Sequence, residues 1–226
     1  MTTTLITGAN KGLGLETTRR LIEAGHDVIA GVRDPDTAGD VRALGAQVIR
    51  LDVTDTASVT EALSSIPRLD VLVNNAGVLG SAHGVDDLDA DAMTDTLDTN
   101  VVGIVRVTQA ALPLLRESSN PVIVNVASGV GMGRFLQDPQ RDEFPVGAIP
   151  YAASKAAVIT LTVQYAKNLP EMRVNASDPG YTATDLNANT GHQSVTEGTD
   201  ATVHLATLDR NGPTGEFHSR SGRIDL

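Results

Sequence analysis

A short apolar run that stops at a glycine turn and resumes as a helix constrains this chain more than any other feature. Residues Thr3 to Thr7 end at Gly8, and Leu13 to Ala24, closed by Gly25, carries apolar residues at helical spacing. Between them lies Thr7-Gly8-Ala9-Asn10-Lys11-Gly12-Leu13-Gly14, which puts free backbone N–H groups at a helix N-terminus, where a nucleotide pyrophosphate would sit. The spacing is G-x-x-x-G-x-G rather than the general G-x-G-x-x-G fingerprint. Glycine kept for turn conformation alone is the competing interpretation, and position and flanking elements weigh against it.

The strand-then-helix unit recurs. Asp27 to Val32, Gln47 to Leu51, Leu69 to Val73, Pro121 to Val126 and Arg173 to Ala176 are brief Val/Ile/Leu-rich runs, suited to strands buried on both faces of a parallel sheet. Helices are predicted over Asp91 to Leu115 and Ala152 to Lys167. A capping-box pair, Ser194 and Glu197, places another over about Val195 to Leu208. Alternation throughout predicts an α/β, doubly wound parallel sheet with helices on both faces. At 226 residues, with no repeat, low-complexity tract or linker, residues 1–226 are expected to form one domain.

Composition narrows the function. The formal net charge of -11 makes nucleic acid an unlikely partner, so an anionic ligand needs local cations and backbone N–H groups. No leader or membrane-length apolar stretch is visible and cysteine is absent, so a cytoplasmic protein without membrane attachment is expected. The histidines (His26, His83, His192, His204, His218) are scattered, none at the spacing of a helical metal site, so no metal is expected. The six aspartates from Asp86 to Asp98 are interpreted as a solvated helix N-terminus rather than a cation site.

Tyr151 and Lys155 stand four residues apart on one predicted helix and so share a face. A free phenol titrates near 10, too high for proton exchange at neutrality, and a nearby ammonium favours the phenolate. Ser128, ending an apolar strand, is placed beside the phenol to give a second hydrogen bond to a substrate oxygen on which negative charge grows.

These motifs together resemble the short-chain dehydrogenases/reductases, in their compact, carbonyl-reductase-like branch. The resemblance rests on Thr7-Gly8-x-x-x-Gly12-x-Gly14, Asp52 in Leu-Asp-Val, Asn74-Asn75-Ala76-Gly77, Asn100, Ser128, Tyr151-Ala-Ala-Ser-Lys155, and Pro179-Gly180 followed by Thr184. It covers nearly the whole chain in order, and implies a single-domain Rossmann-type fold that moves a hydride between a nicotinamide cofactor and a carbonyl or secondary alcohol. It implies that Ser128, Tyr151, Lys155 and Asn100 form the catalytic set, Tyr151 as acid/base, Lys155 also on the nicotinamide ribose, and Asn100 in a structural and water-relay role. Cofactor contacts would come from Gly8, Asn10, Lys11, Gly12, Leu13 and Gly14, from Asp52 at the adenine with Val53 beside it, and from Asn75, Ala76 and Gly77. Pro179 and Gly180, the Thr182 backbone and Thr184 would line the nicotinamide.

Cofactor choice turns on the end of the second strand, Val32-Arg33-Asp34. Arg33 and Lys11 suit the 2′-phosphate of NADPH, the expected cofactor; NADH is the alternative if Asp34 takes the ribose hydroxyls.

Ser128 and Tyr151 are 23 residues apart, which makes Phe135 to Ile149 look like an inserted loop. Either it covers the substrate or it blocks a subunit contact, so a homo-oligomer stays open. Asp185 to Gln193 suits a flap, and Phe135, Phe144 and Tyr181 are pocket-wall candidates or loop anchors. Gly212 to Phe217 resembles a last strand with a polar edge. A nucleotide-sensing regulator that lost the chemistry is the rival reading, which retention of Tyr151, Lys155 and Ser128 disfavours.

Overall fold

Neighbouring residues of the central strands face opposite ways and are buried on both sides. Leu5, Ile29, Leu72, Ile123 and Val174 join one apolar cluster, and Ile6, Ala30, Val73 and Val124 join another. This double burial is the physical content of the continuous apolar runs. The computed structural model describes residues 1–82 and 84–226; His83 lies outside the described residues.

Eight strands form one sheet: β1 (Thr2–Thr7), β2 (His26–Val32), β3 (Gln47–Arg50), β4 (Val71–Asn74), β5 (Val122–Val126), β6 (Arg173–Ser177), β7 (Phe217–Ser219) and β8 (Gly222–Ile224). Their order is β3-β2-β1-β4-β5-β6-β7-β8, parallel as far as β7, with β8 antiparallel at the edge. The order reverses between β1 and β4, so a crevice opens beyond their carboxyl ends. The glycine turn, Asn75, Ser128 and Asp178 follow β1, β4, β5 and β6 and so meet at this crevice.

On one face lie α1 (Gly12–Glu23), α2 (Gly39–Ala43) and, from the C-terminal part, α8 (Val195–Gly198) and α9 (Asp200–Ala206). Leu21, Val41 and Leu205 fill the layer beneath them. On the other face lie α3 (Thr56–Ser64), α4 (Ala90–Leu97), α5 (Gly103–Arg116) and α7 (Ile149–Asn168), with Val59, Val107, Leu115 and Ala166 in the core.

The structure departs from the sequence pattern in four places. The long helix expected over Asp91 to Leu115 is interrupted by a π-helical turn, Asp98–Val102, which carries Asn100. Such a widened turn inserts a residue without a glycine or proline signal. The helix expected after Ser194 splits at Gly198 and Thr199, although its capping box is present. A Cβ at Gly198 would strike Thr182 and Leu13, so the break lets this segment press on the cleft. The last strand lies later, and β8 folds back on it with Arg223 Nη1 3.4 Å from Glu216 Oε1. The stretch inserted after Ser128 forms a short helix, α6 (Gly133–Leu136), and successive turns. Phe135 is a buried anchor under the Arg141 guanidinium, 3.4 Å from its ring centroid, whereas Phe144 is exposed.

Candidate active site

The glycine turn is held from below. Gly8 has φ +66°, a left-handed conformation that glycine takes without a Cβ penalty, and its N–H donates to the Gly31 carbonyl at 2.8 Å. Asn75 Nδ2 donates to the carbonyls of Thr7 (2.9 Å) and Gly8 (3.1 Å), while the backbone N–H groups of Asn75 and Ala76 donate to Thr7 Oγ1, both at 3.0 Å. A Cβ at Gly14 would run into the Gly8 carbonyl and lie 2.6 Å from Asn75 Nδ2, so only glycine lets α1 begin this close to the strand. α1 has Lys11 at its N-cap with no side-chain cap, leaving the helix N-terminus to an anion. Asn10 Nδ2 donates to Thr37 Oγ1 at 3.1 Å, and Leu13 lies in the wall of the adjoining cavity.

Two cations flank this turn. Lys11 is exposed and pairs with Asp185 at 3.1 Å. Arg33 is exposed at the end of β2, close enough to Asp52 to act on its carboxyl. Asp34 is already engaged, its Oδ1 accepting the Asp36 N–H at 3.0 Å as the cap of a short helical turn. Burial works against ionised Asp52, but the Thr54 N–H (3.0 Å) and hydroxyl (2.7 Å), with Arg33 and Arg50, bring it below its ordinary value. Val53 is buried; its Cβ would stand 3.0 Å from one added at Gly103.

The titratable groups lie across the cleft. Pro150 enters α7 in its first turn, which starts the helix at Ile149 and puts Tyr151 in that turn with Lys155 one turn on. Lys155 is 5 % exposed and donates from Nζ to the Val126 carbonyl at 2.8 Å, 5.4 Å from the centroid of the Tyr151 ring. Burial pulls its ammonium down to about 8, against a pull upward from Asp178. Burial also pushes the Tyr151 phenol up to about 12, opposed by a hydrogen bond with Ser128 and reinforced by the Asp178 charge. The lowering expected from Lys155 is not seen: desolvation dominates, and the hydrogen bond with Ser128 is what opposes it. Asn100 is fully buried: its Oδ1 accepts the Val78 N–H at 2.8 Å, and its Nδ2 donates to the Val78 carbonyl (2.8 Å) and Ser154 Oγ (3.0 Å). A Cβ at Gly77 would stand 3.3 Å from Asn100 Oδ1 and 3.7 Å from Lys155 Nζ, so these three positions converge.

Ser128 and Tyr151 open into a cavity of about 300 Å³ whose walls include Leu79, Val130, Val146, Ala148, Tyr181 and Leu186, with no charged side chain among the described residues lining it. Pro179, Gly180, Thr182 and Thr184 line the same cavity. The Thr182 backbone is also tied within the chain: its N–H donates to the Gly180 carbonyl at 3.0 Å, and its carbonyl accepts from Asn187 Nδ2 at 2.9 Å. Pairing of Thr182 with Gln193 closes the 182–193 strip on itself. Thr184 lies against the glycine turn, its Cγ2 3.8 Å from a Cβ built at Gly12.

The model of the family described as short chain dehydrogenase matches residues 2–195. The chain belongs to that family. It is 31% identical to a (+)-neomenthol dehydrogenase of Arabidopsis thaliana, over 96% of this chain and 95% of that one. It is 30% identical to a (-)-isopiperitenone reductase of Mentha piperita, over 98% and 97%. Among solved structures, an NADPH-bound carbonyl reductase from chicken fatty liver superposes with a TM-score of 0.88 at 27% identity, covering 99% of this chain and 98% of that one. A short-chain dehydrogenase is an oxidoreductase that works with a nicotinamide cofactor.

The residues present fit such a cofactor. The uncapped start of α1 and the uncharged chamber beside Tyr151 suit a pyrophosphate at one end and a neutral carboxamide at the other. Among the described residues no helix is long and apolar enough to cross a membrane.

Asn74, the first residue of the Asn74 to Gly77 motif, is buried at the end of β4, its Nδ2 donating to Thr108 Oγ1 (3.1 Å) and Asn125 Oδ1 (2.9 Å), which bridges two strands to a helix. Two contributors escaped the sequence reading. The apolar walls Leu79, Val130, Val146 and Leu186 come from four separate loops, and no spacing rule connects them. Asp178 is a carboxyl 5 % exposed, directly after the end of β6. The one available signal was an acidic residue directly before Pro179-Gly180.

Proposed function

We propose that residues 1–226 form one dinucleotide-binding and catalytic domain, an NADP(H)-dependent carbonyl reductase or alcohol dehydrogenase acting on small neutral ketones and their secondary alcohols. One observation carries the reading: the Ser128 and Tyr151 hydroxyls share an apolar, uncharged cavity, with the Lys155 ammonium buried one helical turn behind. The relatives named for neomenthol and isopiperitenone, and the NADPH-bound carbonyl reductase, support the substrate type and the cofactor.

The phosphates of the cofactor would be held by the backbone of Gly8 to Gly14 with Asn10 and Leu13, and its 2′-phosphate by Arg33 and Lys11. Asp52 and Val53 would take the adenine, Asn75, Ala76 and Gly77 the middle, and Pro179, Gly180 and Thr184 the nicotinamide end. When bound there, the reduced nicotinamide supplies the hydride. The Ser128 and Tyr151 hydroxyls both donate to the substrate oxygen and so orient its carbonyl carbon. As charge grows on that oxygen, Tyr151 gives up its proton. A phenol held up near 12 keeps its proton until the oxygen has become basic, which suits an acid in the reductive direction. The Lys155 ammonium, still charged at neutral pH, stabilises the phenolate left behind. Asn100 keeps the Val78 segment and Ser154 in register behind these groups.

The test is a titration of the protein with NADPH and NADH, followed by absorbance assays with cyclohexanone and phenylpyruvate. NADPH-dependent reduction of the neutral ketone, with the anionic oxo acid at least about tenfold slower, is the expected outcome, since no wall residue pairs with a carboxylate. Binding of NADPH with no turnover of any ketone or aldehyde would leave a sensing protein instead.

A further inference from the structure

Asp178 follows the last residue of β6 and is buried at the floor of the cleft. Its Oδ1 accepts two backbone N–H groups, from Gly129 at 3.0 Å and from Gly180 at 3.0 Å. Gly129 immediately follows Ser128 on the turn after β5, and Gly180, with φ +66°, opens the strip that runs to Thr184. One oxygen thus joins two turns that both border the cavity. The base of the carboxyl is fixed as well, because the Asp178 N–H donates to the His218 carbonyl at 2.7 Å.

The groups around it are few. From the inserted stretch, Glu143 presses on Gly129 where a Cβ would collide with its carboxylate, and the same Cβ would stand 3.2 Å from Asp178 Oδ2. Arg141 holds both Glu143 oxygens, at 3.0 and 3.1 Å, and lies over Phe135. From α7, Tyr151 and Lys155 feel the Asp178 charge. A carboxyl group this deep is unfavourable to bury, and an apolar residue would fill the volume with no such penalty. The two N–H bonds are what an apolar residue could not make.

We propose that Asp178 is a positioning residue whose single carboxylate oxygen clamps the Ser128 turn to the Gly180 turn, fixing the Ser128 hydroxyl relative to the nicotinamide-side wall, with the Arg141–Glu143 pair closing the clamp from outside. Its consequence for turnover rests on the carbonyl-reductase reading; the clamp itself does not.

The experiment compares Asp178→Ala with Asp178→Asn, whose carboxamide oxygen accepts the same two N–H groups. Amide hydrogen exchange is followed at Gly129 and Gly180, and kinetics with NADPH and cyclohexanone. In Asp178→Ala both amides lose protection by about a hundredfold, and kcat falls about a hundredfold with KM for the ketone within about threefold, the pattern of a misplaced reacting group. Asp178→Asn recovers both amides and restores kcat to within about fivefold. Retained protection in Asp178→Ala overturns the proposal. So does lost protection with wild-type kcat, or an Asp178→Asn protein that keeps both amides yet is as slow as Asp178→Ala. Should Asp178→Ala not fold, Asp178→Glu displaces the acceptor by one methylene and must show the same loss at both amides. If the wild-type protein reduces no ketone, the functional reading fails while the exchange data still decide the clamp.

Discussion

The two ends of the cleft are built on opposite terms. Behind Tyr151 three polar groups are buried and tied: Lys155 to the Val126 carbonyl, Asn100 to both backbone atoms of Val78, Asp178 to two amides. At the glycine-turn end the charges stand in solvent, with Lys11 67% exposed at its side chain and Arg33 exposed without an ion pair among the described residues. Burial strengthens each electrostatic contact and makes each charge costly, which suits proton transfer. Exposure weakens both effects and leaves room for a multiply charged ligand to be chosen by its phosphate. Replacements at the buried end should therefore act on rate and stability, and those at the exposed end on cofactor affinity alone.

The largest contrast is expected from Tyr151→Phe. Removing the proton donor should cut kcat by about a thousandfold, with the Kd for NADPH within about twofold, since the ring and its packing remain. Stopped-flow or steady-state rates with fluorescence titration of NADPH check this. Unchanged turnover would end the assignment of Tyr151.

At the other end Arg33→Asp should weaken NADPH by roughly ten- to a hundredfold through repulsion at the 2′-phosphate, and leave NADH within about twofold. Equal weakening of both cofactors would show that Arg33 serves the turn and not the phosphate.

Lys155→Met separates chemistry from stability. The fall of the ammonium from 10.5 to about 8 corresponds to roughly 3 kcal/mol of unfavourable burial, and the orphaned Val126 carbonyl returns about 1 to 2 kcal/mol of that. A net gain of ~1 kcal/mol at pH 7 is expected, in a protein without turnover. The native protein binds fewer protons than the unfolded chain between about 8 and 10.5, so wild-type stability rises with pH across that window and the advantage of the variant fades there. Denaturant titrations at several pH values decide it. In the wild type, ketone reduction should decline as pH passes about 8 and the ammonium is lost.

The contrast between the ends also explains what was legible in advance. The first six strands, the glycine turn, the Tyr151–Lys155 face and the Ser194–Glu197 capping box each depend on residues close in sequence, and all were readable. The π-helical turn at Asn100 was not, because the apolar spacing runs through it and the partner of Asn100, Val78, is distant in sequence. The partners that hold the Thr182 backbone, Gly180 and Asn187, were not legible either, because no spacing rule pairs them. The raised phenol of Tyr151 belongs to the same class: helical spacing reports the neighbouring cation, and only the packed structure reports the lost water. Asp178 combines both limits, since its partners Gly129 and Gly180 arrive from the ends of different strands.

The smallest effect tests whether the exposed end is as independent as it looks. Lys11 now spends its charge on Asp185, an exposed pair 3.1 Å apart on the strip that borders the cavity. A cofactor phosphate at the glycine turn would compete with that carboxylate for the same ammonium. Asp185→Asn should therefore tighten NADPH by about two- to threefold at low ionic strength, with the gain vanishing at high salt because both partners are solvated and screened. Thermal stability should hardly move, as exposed pairs contribute little to folding. Weaker NADPH binding at low salt would mean that Asp185 holds the strip in place, and that the two ends of the cleft are mechanically coupled after all.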